Sequence, residues 1–526
     1  MVPETDRLKQ IEQVIVTAKQ MREIEARLFD AGMPVAALME KVGGLIARRI
    51  QSLYPCRDYP KVGILVGPGH NGGDALVVAR ELYFRGYEIQ VYCPLTKLKE
   101  LTANHARYVE SLGISFHPSI ELLKNCGLLV DGLFGFGLER SLESPIVDLI
   151  DQINQWPQPV LSIDLPSGLH TDTGEALGAA IRAHHTFCLG LWKLGLLQDQ
   201  ALAFTGTTEL VDFDLPLADV RAILGNSPEI QRLTQASAIA HLPLPRPLAT
   251  YKYKMGSLLL LCGSHRYSGG AILTALGARA SGIGMLYIAV PESLQLLMSD
   301  HLPEALVLSC PETDTGAIAQ FPEGTDLSKF DAIACGPGLT MDAKSVIQQV
   351  LASDRPLVLD ADGLNVLADQ GTIPTLSQRQ AATVLTPHAG EFKRLFVELA
   401  EQMENRAAAV RSAAQQAGAV VLLKGARTAI ANPQGSVWIN PESTPALARG
   451  GSGDVLTGLI GGLVTQAVLR QMSLESAVQS ATWWHAHAGI LAAQEHTELG
   501  VDAFTLTQFL IPALKANLQS TSTFRP

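Results

Sequence analysis

The sequence has no apolar run long enough to cross a bilayer. Stretches such as LLLLC (258–262) fall far short of the roughly 20 residues that a spanning helix requires. The first residues, MVPETDRLKQIEQ, contain no apolar segment of the kind that directs secretion. We therefore expect a protein that acts in the cytoplasm and does not bind a membrane.

Cysteine pairs are missing as well. The seven cysteines stand singly, without the close spacing of a zinc site or a disulfide framework. This pattern indicates free thiols in a reducing compartment. The cysteines are Cys56, Cys93, Cys126, Cys188, Cys262, Cys310 and Cys335.

Basic residues are in the minority: 40 Lys and Arg stand against 51 Asp and Glu, a net charge of -11. The sequence lacks the concentrated positive stripe that neutralises nucleic-acid phosphates, so nucleic acid is not an expected partner. With 47% hydrophobic and 17% charged residues, the composition also excludes a disordered chain. A chain of 526 residues exceeds the roughly 250–300 that one core serves, which predicts two domains.

Short apolar runs alternate with helical patterns along the chain. Residues 17–50 predict two helices broken around AGMP, and β-rich runs follow in both halves, which predicts α/β domains with mainly parallel sheets. The prolines of LPLPRPLATYKYK (242–254) favour an extended connector, and we place the domain boundary near 230. The predicted domains are 1–228 and 229–526. Strands are expected within 61–67, 88–94, 127–135, 159–168, 186–191 and 208–214, and then within 257–263, 284–290, 305–310, 331–338, 356–363, 382–387 and 419–425.

The first chemical signal is VGPGHNGGDALVVAR (66–80), in which a strand runs through glycines into a helix. Free N–H groups at a helix N-terminus hold anions, and Gly67, Gly69, Gly72 and Gly73 would let the main chain approach a phosphate. The pattern is neither GxGxxG nor a P-loop. A purely structural turn is the alternative.

Two aspartates follow later strands of the same half. Asp131 lies in VDGLFGFGLERS and Asp164 in SIDLPSGLHTDTG. Because open parallel sheets bind ligands outside the carboxyl ends of their strands, the glycine loop and both aspartates could face one crevice. Alternatively, each aspartate caps a turn or a helix.

These motifs, preceded by LMEKVG, resemble the YjeF N-terminal family, whose members epimerise the hydrated nicotinamide of damaged NADH and NADPH. The resemblance implies a Rossmann-like, doubly wound sheet, with Asp164 as the acid/base. It also implies K⁺ held by Asn71, Asp131 and Ser167. The hydrate would lie on His70, Asn71, Gly72, Gly73, Asp74, Gly135, Phe136, Gly137, Leu138, Glu139, Arg140 and Ser141.

Four marks characterise the second half. CGSHRYSGGAILTALGARASGIG (262–284) joins a strand to an apolar helix, ACGPGLT and LTPHAGEF stand at strand ends, and LLKGARTAIANPQGSVWIN (422–440) predicts two strands around a basic turn, with a hairpin at Gly435. Lys424, Arg427 and Thr428 suit the phosphates or ribose of a nucleotide. Close helix–sheet packing is the alternative for the first mark, a structural histidine for His388, and a solvated hairpin tip for the basic turn.

ALARGGSGDVLTG (446–458) places Asp454 in the first turn of a predicted helix, where main-chain N–H groups stabilise developing phosphate charge and the carboxylate can act as a base. GxGD before a helix resembles the ribokinase-like superfamily. Together with GPGL, LDADGLN, TPHAGE and LKGART, it more closely resembles the NAD(P)H-hydrate dehydratase branch of that superfamily.

The second resemblance implies a ribokinase-like domain that uses ADP or ATP, with Mg²⁺, to dehydrate the S hydrate. Asp454 would be catalytic. The hydrate would lie near Gly270, Ala271, Gly338 and His388, and the nucleotide would contact Lys424, Gly425, Ala426, Arg427, Thr428 and Gly453.

Together the two resemblances predict a bifunctional repair enzyme for small-molecule substrates, expected to be a homo-oligomer. The alternative is a vitamin or sugar kinase joined to a nucleotide-binding module without catalysis.

Overall fold

The computed structural model describes residues 4–520. The chain forms two compact units that divide after Pro228. Each unit has its own sheet and its own hydrophobic core, and each is described by itself below.

The first unit is built around a seven-stranded parallel sheet with the order β4-β3-β2-β5-β6-β7-β9. The chain enters at β2, continues to β3 and β4 on one side, and then crosses to β5 on the other side. Strand order therefore reverses between β2 and β5, the place where open α/β sheets bind ligands. The strands are β1 (Ile15–Val16), β2 (Lys61–Val66), β3 (Glu88–Tyr92), β4 (Ser115–His117), β5 (Leu128–Gly132), β6 (Val160–Ile163), β7 (His185–Leu189), β8 (Trp192–Lys193) and β9 (Thr207–Val211), of which β1 and β8 pair with each other as a separate ladder.

Helices cover both faces of this sheet, and two buried clusters form its core. Capping defines where α2 begins: the Thr17 side chain accepts a hydrogen bond from the Gln20 N–H, and the Gln20 side-chain oxygen accepts one from the Thr17 N–H. The helices are α1 (Glu4–Ile11), α2 (Ala18–Asp30), α3 (Val35–Leu53), α4 (His70–Tyr83), α5 (Glu100–Ser111), α6 (Ile146–Ile153), α7 (Leu202–Thr205) and α8 (Leu217–Leu224).

The second unit contains a ten-stranded sheet with the order β10-β19-β18-β17-β16-β15-β14-β11-β12-β13. It is parallel except at the pairs β17–β18 and β18–β19, which are antiparallel. Here the order reverses between β11 and β14. The strands are β10 (Ile230–Arg232), β11 (Ser257–Leu261), β12 (Met285–Pro291), β13 (Leu306–Cys310), β14 (Ala332–Cys335), β15 (Leu357–Leu359), β16 (Thr383–Leu385), β17 (Val420–Leu423), β18 (Thr428–Ala431) and β19 (Val437–Asn440).

The helices of the second unit include α18, which is kinked at Thr497. They are α9 (Gln235–Ala240), α10 (Ser268–Ala280), α11 (Gln295–His301), α12 (Lys344–Leu351), α13 (Ala361–Gln370), α14 (Thr372–Ser377), α15 (Ala389–Leu395), α16 (Arg406–Ala417), α17 (Ser452–Leu469), α18 (Leu474–Gly500) and α19 (Ala503–Ser520).

The predicted fold class is confirmed, and every strand predicted from an apolar run is present. The sequence analysis did not predict β1, β4, β8 and β10, which are two or three residues long and, unlike the equally short β15 and β16, were not recognised as parts of longer apolar runs. The run 356–363 is a strand only as far as Leu359, and its second half opens α13. The proline-rich segment 242–254 follows α9, so it connects elements of the second unit.

Helix α17 lies against α10 without room for side chains between their main chains. A Cβ atom at Gly458 would stand 1.8 Å from the Thr274 carbonyl oxygen, and one at Gly277 would stand 2.1 Å from that of Val455. Among the described residues α17 is the one helix long and apolar enough to cross a membrane, but 78% of it is buried inside the unit. Helix α17 is therefore a core helix of the second unit. Within the segment 262–284, Gly277 serves the packing of α10 against it.

We predict that Gly458→Ala destabilises the second unit by about 1–3 kcal/mol, because the added methyl meets main chain that cannot rotate away. Hydrogen exchange of peptides from α10 and α17 measures the loss. Gly269→Ala is the matched control. Gly269 lies in α10, the helix that Gly458 of α17 packs against, and a Cβ there would meet no neighbouring atom within 4 Å. Equal protection in both variants would contradict the tight contact.

Candidate active sites

A cavity of about 390 Å³ opens in the first unit at the point where strand order reverses. It is lined by the segments that follow β2, β5, β6 and β7, together with residues of α2 and α3. The crevice predicted from the strand ends is therefore present. The side chains and glycines that line the cavity include Glu25, Gly69, His70, Asn71, Asp74, Phe136, Asp164 and Lys193.

Asp164 is held in an unusual position directly after β6. Its φ of 68° is left-handed, a conformation that Asp tolerates better than most residues. One carboxylate oxygen accepts a hydrogen bond of 2.9 Å from the Phe136 N–H, and the other lies 2.5 Å from the Lys193 ammonium. Lys193 is fully buried and also donates to the Leu189 carbonyl at 2.5 Å. A buried ion pair thus fixes the carboxylate at the edge of the cavity.

Two further carboxyl groups line the same cavity. Burial raises the pKa of Glu25 to about 7, an effect that Lys193 opposes and Asp164 reinforces. Burial also raises the pKa of Asp74 well above its usual value, with added repulsion from Asp164 and Glu25. Three carboxyls thus share one ammonium group. Burial therefore favours the neutral form of both Asp74 and Glu25.

Most glycines of the loop after β2 are required by contacts within the protein. A Cβ atom at Gly67 would lie 1.6 Å from the Leu133 carbonyl oxygen, and one at Gly72 would lie 2.0 Å from that of Gly67. These positions bring strand, turn and helix together, so close approach to a phosphate is not what requires glycine there. Gly69, where a Cβ would meet nothing, is the member of the set that faces open space.

The three predicted potassium ligands lie near one another but differ in exposure. Asp131 is fully buried within β5, where it accepts hydrogen bonds from the hydroxyls of Ser162 and Ser167 and from the N–H groups of Ser167 and Leu133. Burial raises the pKa of Asp131. Asn71 lines the cavity, and its amide nitrogen has no hydrogen-bond partner.

Gly135 leaves space beside the side chains of Asn71 and Asp164. A Cβ there would stand 3.1 Å from an Asp164 oxygen and 3.2 Å from the Asn71 amide oxygen. Carboxylate, hydroxyl and amide oxygens are hard donors that suit an alkali cation, and a cation would compensate the buried Asp131 charge. The residues present therefore fit potassium.

The second unit has a cavity of about 400 Å³ near the point where its own strand order reverses. Segments after β14 and β15 contribute to it, as do the N-terminal turns of α10 and α17. It is lined by Arg266, Tyr267, Gly270, Gly338, Thr340, Met341, Asp362 and Asp454. Predicted residues Gly270, Gly338 and Asp454 are thus brought together.

Asp454 stands in the first turn of α17, as the sequence predicts. Burial raises the pKa of Asp454 to about 7, the nearby Asp360 and Asp362 add to the rise, and Lys424 opposes it. Asp360, 1% exposed, accepts a 2.6 Å hydrogen bond from Lys424 and another of 2.6 Å from the Thr457 hydroxyl. Lys424 is thereby held beside the first turn of α17.

The remaining predicted residues lie in varied surroundings. His388 begins α15, where its Nδ1 accepts hydrogen bonds from the N–H groups of Gly390 and Glu391, and it does not line the cavity. Ala271 is buried next to Gly263. In the first unit, Glu139, Arg140 and Ser141 are exposed and Gly73 is buried. In the second unit, Gly425, Ala426 and Arg427 form the turn between β17 and β18, and Thr428 is the first residue of β18. A Cβ at Gly453 would lie 3.4 Å from the Lys424 ammonium.

Several residues of these sites did not emerge from sequence reasoning. Glu25 looks like one of many charges on an amphipathic helix. Lys193 gave a detectable signal, since a single lysine interrupts the apolar segment LGLWKLGLL (189–197). Asp360 and Asp362 lie in LDADGLN, a motif noted without roles for its residues.

Two α/β units, each with an acidic side chain beside a cavity where strand order reverses, define a protein suited to chemistry on small molecules. Sequence profiles agree: YjeF-related protein N-terminus matches residues 35–195, and NAD(P)H-hydrate dehydratase matches residues 258–512. Bifunctional NAD(P)H-hydrate repair enzyme Nnr of Synechocystis sp. is 53% identical over 95% of this chain and 95% of its own. The corresponding protein of Thermosynechococcus vestitus is 51% identical over 96% of this chain and 98% of its own.

The chain belongs to the family of bifunctional NAD(P)H-hydrate repair enzymes. Both resemblances seen in the sequence are thereby confirmed, and the alternative of a vitamin or sugar kinase is not favoured. Among solved structures, ADP/ATP-dependent NAD(P)H-hydrate dehydratase from Bacillus subtilis, co-crystallised with ATP/Mg²⁺, is 34% identical over 54% of this chain and 98% of its own, with a TM-score of 0.46.

We predict that Lys193→Met weakens the first unit by about 3–5 kcal/mol, because it leaves the Asp164 charge buried without its partner. Hydrogen exchange of peptides from β6 and β7 reports the loss. Removing both charges, with Lys193→Met and Asp164→Asn together, should restore most of the protection. Lys61→Met is the control, because Lys61 forms an exposed ion pair with Glu88. Equal loss in the single and double variants would contradict a buried pair.

Proposed function

We propose that the first unit interconverts the R and S hydrates of NADH and NADPH, and that the second unit dehydrates the S form at the expense of ADP or ATP. The observation that supports this most directly is the placement of Asp164 and Asp454, each lining a cavity at the reversal of strand order in its own sheet. One unit would produce the substrate of the other.

In the first site, Asp164 acts as an acid/base. The Lys193 ammonium, 2.5 Å away, keeps its carboxylate in place. His70 to Asp74 form the first turn of α4, where N–H groups that are not used inside the helix can hold nucleotide phosphates. The segment 135–141 would contact the rest of the dinucleotide, with Gly135, Phe136, Gly137 and Leu138 at the cavity.

Potassium would bind through the oxygens of Asn71, Asp131 and Ser167. Its positive charge would stabilise the buried Asp131 carboxylate and strengthen the positive field for the dinucleotide phosphates. The hydroxyl of Ser167 donates to Asp131 at 2.5 Å and accepts from the Phe134 N–H at 2.8 Å, so it connects the buried aspartate to the loop that lines the cavity.

In the second site, Asp454 acts as the base that takes the proton of the hydrate's hydroxyl. That oxygen attacks the terminal phosphorus of the nucleotide, whose bond to the bridging oxygen breaks, so that AMP leaves from ADP or ADP from ATP. Inorganic phosphate then departs from the ring carbon more readily than hydroxide would, and the neighbouring carbon loses a proton as the double bond forms. The N-terminus of α17 and Lys424 would stabilise the transferred phosphate, while residues 424–428 and Gly453 would hold the nucleotide. Gly270, Ala271, Gly338 and His388 would contact the hydrate.

Magnesium would enter this site with the nucleotide. Among residues 4–520, no group of three or more His, Cys, Asp or Glu side chains could hold a metal ion on its own. Mg²⁺ commonly binds through substrate phosphates and one or two carboxylates, and Asp362, which lines the cavity, suits that role. A homo-oligomeric state and a cytoplasmic site of action stay predictions, as does the expectation that neither nucleic acid nor membrane is a partner.

We predict that each aspartate controls one activity. Asp164→Ala should abolish turnover of the R hydrate and leave that of the S hydrate, whereas Asp454→Asn should lower S-hydrate turnover by about 10²–10⁴-fold, the contribution of a general base. Return of the reduced-nicotinamide absorbance with ADP or ATP present measures both. Equal loss of both activities in a folded variant would refute independent sites.

The wild-type dehydration rate should depend on pH. Since Asp454 must be ionised to act as a base, the rate should rise with pH through about 7 and then level off. Asp454→Asn should lack this rise. A flat wild-type profile would remove Asp454 as the base.

We predict that replacing K⁺ by tetramethylammonium, too large for the oxygen cluster, slows epimerisation and lowers the melting temperature of the protein. Asp131→Asn should remove the difference in melting temperature between the two salts. Asp148→Asn, an exposed carboxyl on α6 of the same unit, is the control and should retain it. The potassium proposal is wrong if the wild type melts alike in both salts.

A further inference from the structure

Glu25 is a carboxyl of α2 that lines the cavity of the first unit, as the neighbouring Arg22 also does. Arg22 pairs with Glu139, whereas the Glu23 carboxylate lies 3.8 Å from Lys19 in a surface ion pair. The cavity that Glu25 lines also holds Asp74, Asp164 and Lys193. Within residues 4–520, the Glu25 carboxyl neither caps a helix nor forms a hydrogen bond that closes a turn.

The substrate chemistry calls for two groups in opposite protonation states. In the hydrate of a reduced nicotinamide, water has added across a ring double bond, and the hydroxyl lies on the carbon beside the ring nitrogen because the nitrogen lone pair stabilises positive charge there. Inverting that carbon requires one group that gives a proton to the departing oxygen and another that takes a proton from the arriving water.

We propose that Glu25 is the second acid–base residue of the epimerase site and works in the opposite sense to Asp164. This inference rests on the proposed function of the first unit. Glu25 reaches the cavity from helix α2, whereas Asp164 reaches it from the edge of the sheet, so the two carboxyls approach the substrate from different elements.

In one direction, the Glu25 carboxyl gives its proton to the hydroxyl oxygen and the C–O bond breaks. Water departs, and the nitrogen lone pair forms a C=N⁺ bond. A water molecule then adds to the opposite face of the carbon, the π electrons return to nitrogen, and the proton that this water loses passes to the Asp164 carboxylate. The reverse reaction starts from the resulting state, and proton exchange with solvent also resets the pair.

The charges around Glu25 suit this exchange. Lys193 on β8 and Asp164 after β6 are its main charged neighbours, and Asp74 on α4 faces the same group. Arg22, His70 and Lys99 also line the cavity. Lys193 lies 2.5 Å from Asp164, and burial outweighs its effect on Glu25, whose pKa rises to about 7. Glu25 can therefore exchange a proton near neutral pH.

The test uses the full-length chain with R hydrate, ADP or ATP and the recovery of reduced-nicotinamide absorbance. Glu25→Gln should lower R-hydrate turnover by about 10²–10⁴-fold while S-hydrate turnover stays at the wild-type level. Glu23→Gln, an exposed carboxyl on the same helix, should behave as wild type. Glu25→Asp keeps an ionisable group and should lose less activity than Glu25→Gln.

The pH profile separates a proton-transfer role from a structural one. With the Asp164→Ala variant added in excess, so that dehydration of the S form never limits, wild-type R-hydrate turnover should fall as pH rises through about 7, because the proton on Glu25 is lost. Under the same conditions the residual turnover of Glu25→Gln should lack that fall. Turnover of Glu25→Gln within threefold of wild type, or a retained fall, overturns the proposal for Glu25 alone. A wild type that does not accelerate R-hydrate turnover above the uncatalysed rate overturns the proposed epimerase function with it.

Discussion

A lysine paired with a buried aspartate stands at the carboxyl edge of both sheets. Lys193 lies 2.5 Å from Asp164 in the first unit, and Lys424 lies 2.6 Å from Asp360 in the second. Placing a single charge in such a region is costly, whereas a close pair with further hydrogen bonds is tolerated. Each pair therefore brings an ionised group to a place where little water remains to weaken its field.

The two units use that arrangement differently. In the first, the paired aspartate itself faces the cavity, and the carboxyls left without a cation, Asp74 and Glu25, become weak acids. In the second, the paired aspartate neighbours another carboxyl, Asp454, whose pKa rises to about 7. In both cases burial, which the single nearby lysine only partly offsets, produces a carboxyl whose pKa is about 7.

Much of this organisation could be predicted from the sequence, because its signals are local. Apolar runs mark the long strands, and GHNGGD and GGSGD mark strand-to-helix or loop-to-helix turns. Asp164 directly follows the apolar run of β6, and Asp454 is the last residue of GGSGD. Glu25 could not be assigned, since Asp164 and Lys193, its charged neighbours, are well over a hundred residues away in sequence. The position of Lys193 in an apolar segment was visible in the sequence, but its pairing with Asp164 required coordinates. The roles of Gly67 and Gly72 also required coordinates: the same residue type serves approach to a ligand or contact between backbones, and here it is the second.

The contact between α10 and α17 limits how this protein can diverge. A crowded side chain can be relieved by shrinking its neighbour, but Gly277 and Gly458 each face a carbonyl oxygen of the opposite main chain, which every amino acid possesses. No second substitution can make room there. A substitution at either position therefore cannot be compensated by a second one. A library built to alter the specificity of the second site should leave both glycines fixed and vary the side chains around the cavity.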